Sequence, residues 1–104
     1  MSLFSFFETN KKLETFVKQS LDQFCESLPV NSKLDVSDKK LVKKFDKAAN
    51  RLKNQMLTYR KENRLGVYKK AKLISLTIEE MEERGYSQDI IDNIKEKVIV
   101  YLTN

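Results

Sequence analysis

Histidine and tryptophan are absent from this chain, cysteine and proline occur once each, and glycine occurs twice. Each shortage removes a class of answer. Without histidine the chain lacks the commonest general base and the commonest metal ligand, and a single thiol cannot assemble a zinc site. No catalysis, cofactor or metal is therefore expected. Cys25 has no second cysteine to pair with, so the fold does not depend on an intrachain disulfide, and a cytoplasmic setting is the default. It falls beside Glu26 near the expected end of a helix, where dipole and carboxylate both disfavour a thiolate, so it reads as a passive thiol. With so little glycine and proline, the chain also lacks the turn punctuation of a small all-β domain.

Long apolar runs are missing too. The longest, Val98 to Leu102, holds five residues, against about 20 needed to cross a bilayer. Residues 1–7 are largely apolar but meet Glu8 at once and have no basic leader, so no secretory signal is expected.

What is present favours helices. The 104 residues, 40% hydrophobic and 34% charged, suit one helical domain spanning 1–104 with exposed charged faces. Leu13, Phe16, Val17, Leu21, Phe24 and Leu28 recur at steps of three and four, which predicts a helix over about 9–27. Pro29 and the polar stretch after it form a loop, with Asp35 or Ser37 as the cap of the next helix and Asp38 in its first turn. Val42, Phe45, Ala49, Leu52, Met56 and Tyr59 then trace a heptad seam, the strongest periodicity in the chain, within a helix over about 37–64. At two and a half repeats it suits a bundle better than a coiled coil.

A third helix, about 67–84, carries Val67, Ala71, Ile74, Ile78 and Met81 and ends at Gly85. A fourth, about 88–102, follows the cap Ser87 and carries Ile91, Ile94, Val98, Tyr101 and Leu102. The expected architecture is thus an all-α bundle of four helices. Its core should include Phe16, Leu21, Phe24, Phe45, Leu52, Met56, Ile74, Ile78, Ile91, Ile94 and Val98. Gly66 costs only about 1 kcal/mol inside a helix, so helices two and three could also be continuous. Such a rod would be roughly 72 Å long at 1.5 Å per residue and would demand a homodimer.

Charge is distributed in one block. Between Lys39 and Lys72 lie thirteen basic residues and two acidic ones, Asp46 and Glu62, a local charge of +11, while the rest of the chain carries −6 and the whole +5. With Val42 as heptad position a, Lys40, Lys43, Lys44, Lys47, Arg51, Lys61 and Arg64 fall at b, c and f, opposite the apolar seam. Arg60, Lys69, Lys70 and Lys72 complete the candidate surface. Like charges four apart, such as Lys43 with Lys47 and Lys47 with Arg51, repel by a few tenths of a kcal/mol each, and an anion would relieve them.

The plain alternative is a solvated basic face, or one neutralised inside the fold by Glu79, Glu80, Glu82 and Glu83 or by Asp22 and Glu26. If the face is free, nucleic acid is the expected partner, bound through its phosphates without sequence preference; Tyr59 and Tyr68 fall inside the block where bases could stack, but the seam position of Tyr59 assigns it to the core, so the aromatic signal is weak. An acidic protein surface, met as an adaptor or inhibitor, is the other reading. Membrane contact through Leu3, Phe4, Phe6 and Phe7 ahead of Lys11 and Lys12 ranks below both. Glu79 and Glu83, four apart, read as an exposed acidic patch before a cation site.

Overall fold

The computed structural model describes the backbone of residues 3–33, 35 and 37–103, and side chains from Asn10 onward. Among these residues there is no strand, and the chain forms four helical rods. The first is α1, Leu3–Ser27; the second α2, Lys39–Glu62; the third α3, Val67–Arg84. The fourth is composite: α4, Gln88–Ile94, runs through a π-helical turn at Lys95–Ile99 into α5, Val100–Leu102. The all-α bundle is the observed architecture.

Helix α1 packs against both α2 and α3, and the fourth rod closes the bundle against α2 and α3 in turn. Helices α2 and α3 therefore face each other across the core. Thr77 of α3 points at Met56 of α2 there, with its hydroxyl 4.0 Å from the sulfur and hydrogen bonded to the Leu73 carbonyl at 2.7 Å. The radius of gyration, 14.2 Å, is close to the roughly 13 Å expected for about 100 residues.

Local chemistry sets the helix ends. Asp38, not Asp35 or Ser37, caps α2 by accepting from the Leu41 N–H, because Asp35 is already occupied by the backbone and hydroxyl of Ser37. Those two hydrogen bonds hold the Asp35 carboxyl below its ordinary range. Helix α2 stops at Glu62, two residues before the expected end. Asn63 folds its side chain onto the Tyr59 carbonyl, Arg64 takes a left-handed φ of 49°, and the Leu65 N–H returns to the Arg60 carbonyl. Gly66 then starts α3 in extended geometry. No continuous rod forms, so the fusion on which a homodimer was expected is absent. At the far end of α3, Gly85 is the left-handed cap at φ 91°, and Ser87 caps α4 through the Ile90 N–H.

Most of the expected core is buried: Leu21, Phe24, Phe45, Leu52, Met56, Ile91, Ile94 and Val98. Three positions differ. Phe16, Ile74 and Ile78 are only partly buried. In α3 the inward face is Leu73, Thr77 and Met81, whereas Val67 is 82% exposed and Ala71 is open to solvent. The helix carries apolar residues on more than one side, and packing on α1 selects the Leu73 stripe. In the fourth rod the π-helical turn spends extra residues on one turn, which brings Ile99 and Leu102 inward and leaves Tyr101 half exposed.

Candidate functional site

Helix α2 presents the basic residues because its other side is fully committed to the core. Phe45, Ala48, Ala49, Leu52 and Met56 are buried, which fixes the rotation of the helix and turns Lys40, Lys43, Lys44, Lys47 and Arg51 to solvent. These five span about 17 Å of helix at 1.5 Å per residue. Farther along the same face comes Lys61, exposed, whereas Arg64, expected on this face, lies beyond the end of α2 in the left-handed turn and leaves the helical register. The intervening surface holds Asn50, Asn54 and Thr58, polar and uncharged.

The block is thus divided by the tertiary structure. Lys69, Lys70 and Lys72 lie in the first two turns of α3, partly buried, on a different helix from the α2 stripe. Arg60 leans the other way, half-buried, with one guanidinium nitrogen donating to the Leu102 carbonyl at 3.1 Å. Lys53 is likewise drawn to the fourth rod, its Nζ 4.7 Å from the centre of the Tyr101 ring.

Acidic partners are placed elsewhere. Among the described residues, the ion pairs are Arg84 with Asp22, Arg84 with Glu80, Lys95 with Asp92, and Lys97 with Asp46. None involves Lys40, Lys43, Lys44, Lys47, Arg51, Lys61, Arg64, Lys69, Lys70 or Lys72. Of the carboxylates that could have neutralised the stripe, Glu79, Glu80 and Glu83 line a groove with Glu14, Val17, Lys18 and Leu76 at the α1–α3 junction, and Asp22 pairs with Arg84. Asp46, on the flank of α2 that faces the fourth rod, is held by Lys97.

An aromatic pair borders this surface. Phe16 of α1 and Tyr59 of α2 stack with ring centroids 4.0 Å apart and planes 17° apart, and both are half-buried. Burial raises the Tyr59 pKa above the ordinary phenol value. Two open grooves meet at the pair. One, of about 670 Å³, runs along α2 past Lys47, Asn50, Arg51, Asn54 and Thr58. The other, of about 480 Å³, runs along α1 past Lys11, Lys12, Thr15 and Gln19. Charge counting along the sequence passes over this feature, since the seam assigns Tyr59 to the core. Its trace in the sequence is the run of uncharged polar residues, Asn50, Asn54 and Thr58, that interrupts the basic face.

Tyr68, the other aromatic inside the block, is 61% exposed at the start of α3. The side chains of Leu3, Phe4, Phe6 and Phe7, invoked for a membrane contact, lie outside the described residues. No described helix is long and apolar enough to cross a membrane. Among the described residues no group of three or more Cys, Asp or Glu is placed to hold a metal ion. Cys25 is partly buried, near Tyr86.

Comparison with models of known protein families, with curated proteins and with solved structures finds no match to this chain.

Proposed function

We propose that this protein is a non-catalytic binding protein that engages nucleic acid along the outer face of α2. One observation carries the reading: ten basic side chains from Lys40 to Lys72 have no ion-pair partner among the described residues, although the chain holds fifteen carboxylate residues. Five of the ten project from one face of a helix whose rotation is fixed by its core. Bringing them together costs repulsion between i, i+4 neighbours. A phosphate backbone reverses that cost and releases its own counterions, which makes association favourable and salt-sensitive.

Phosphate contact of this kind positions a partner without reading bases, so the expected binding is broad in sequence. The polar residues of the α2 groove add hydrogen-bonding groups where an exclusively electrostatic surface would continue with lysine. An acidic protein surface is the competing occupant, and salt sensitivity alone does not separate it from nucleic acid.

A titration of the whole protein against labelled random-sequence nucleic acid over a range of salt is the direct test. Four to six phosphate contacts predict a slope of log K against log salt of roughly −4 to −5 on duplex. Absence of measurable binding to duplex or single strand at low salt rejects the reading and turns attention to an acidic protein partner.

A further inference from the structure

We infer that the Phe16–Tyr59 stack is a base-stacking platform, so that the nucleic acid taken up by this surface is single-stranded. The inference rests on the reading of α2 as a phosphate-binding face and specifies which form of nucleic acid that face serves.

The pair sits where a strand would need it. Lys47 and Arg51 stand along the α2 groove and Lys11 and Lys12 along the α1 groove, so cationic side chains flank the two rings on both helices. A base reaching the rings from either groove leaves its backbone beside lysine or arginine.

Chemistry at the pair matches a base better than an apolar side chain. The Tyr59 hydroxyl makes no hydrogen bond to any described residue, and Asn54 and, farther along the same groove, Asn50 carry carboxamides that make none either, each with donor and acceptor groups. Gln55 in the same groove is engaged with Gln23 at 2.6 Å, which leaves the two asparagines as the available amides. Unpaired bases offer both a π-face and hydrogen-bonding edges, whereas a duplex keeps its faces stacked inside the helix. Single strands can therefore use this site and duplexes cannot.

The test measures binding of the full chain to a labelled mixed-sequence RNA of about 20 nucleotides, alone and annealed to its complement, at low salt. Tighter binding to the single strand is expected. Tyr59→Leu, which keeps apolar bulk in the stack, should weaken single-strand binding about tenfold while leaving duplex binding and the salt slope unchanged, because no phosphate contact is removed. Equal affinity for both forms, or no loss in Tyr59→Leu, overturns the stacking platform and leaves the basic-face reading standing. Failure to bind either form rejects both. Since Tyr59→Leu could weaken the fold, photocrosslinking of the unaltered protein to a bromouridine-containing strand supplies an independent readout. Adducts should map to the tryptic peptides 13–18 and 54–60, which hold Phe16 and Tyr59. Adducts confined to other peptides overturn the proposal.

Discussion

Arg84, in the last turn of α3, donates to the Asp22 carboxylate of α1 at 2.8 Å, and this contact fixes the acidic end of α3 on α1. The same guanidinium holds Glu80 at 2.9 Å and the Lys18 carbonyl at 3.3 Å. Burial works against its charge, yet hydrogen bonds and attraction from the two carboxylates outweigh it, and the Arg84 pKa is raised. The geometry has a functional consequence. With Glu80 engaged on the α1–α3 side, the acidic cluster does not cover the basic face of α2.

That face should trade stability for binding. Lys47 lies four residues from both Lys43 and Arg51 and pairs with no described carboxylate, so Lys47→Glu converts two repulsions into two attractions. The variant should gain about 0.5–1 kcal/mol in urea unfolding. Its affinity for nucleic acid should fall, with the salt slope reduced by roughly 1 to 2. A variant with wild-type binding would place Lys47 outside the interface.

The inward face of α3 can be read by truncation. Leu73 is completely buried, so Leu73→Ala should cost about 2–5 kcal/mol through lost burial and the cavity left behind. Val67→Ala should shift stability by no more than about 0.5 kcal/mol, since the side chain is mostly in solvent. Chemical denaturation of the two variants, measured side by side, checks the assignment. Similar losses at both positions would contradict it.

The two glycines should respond in opposite ways. Gly85 has φ 91°, and a Cβ there would meet Val30 Cγ1 at 3.5 Å, an ordinary contact, so the penalty for Gly85→Ala is backbone strain of about 1–2 kcal/mol. Gly66 lies at φ −78° with nothing within 4 Å of an added Cβ. There Gly66→Ala should be neutral or stabilising by up to about 1 kcal/mol, because the substitution mainly restricts the unfolded chain. Thermal unfolding of both variants distinguishes the two cases.

Alkaline pH should expose Tyr86. Burial pushes its phenol pKa up, with neighbouring Cys25 adding to the effect, while the hydroxyl donates to the Leu28 carbonyl at 2.8 Å. A phenol that resists ionisation in the folded state but ionises near pH ~10 when unfolded contributes stability that is complete below that pH and is lost above it. Stability should fall by up to about 1.4 kcal/mol per pH unit above pH ~10 from this group. Tyr86→Phe should remove that component of the slope and cost about 1 kcal/mol at neutral pH through the lost hydrogen bond. Denaturation of both proteins across this range isolates Tyr86 from the other tyrosines.

Helix locations were legible wherever neighbouring residues decide them. The seam from Val42 to Tyr59, the end of α3 at Gly85 and the start of α4 after Ser87 depend on interactions within about one turn, so the sequence contains what is needed. The start of α2 was harder because Asp35, Ser37 and Asp38 are all competent caps. The Asp35–Ser37 hydrogen bonds leave the role to Asp38.

By itself, the sequence determined an all-α chain with a basic stripe opposite the clearest apolar seam. Only the tertiary structure decided which side of α3 turns inward, how the π-helical turn reorients Tyr101, and where the carboxylates go. It also placed Phe16 beside Tyr59, 43 positions away in the chain. The physical reason is range: helix formation is governed by contacts within four residues, whereas facing, pairing and exposure are set by competition among all the surfaces that could pack together.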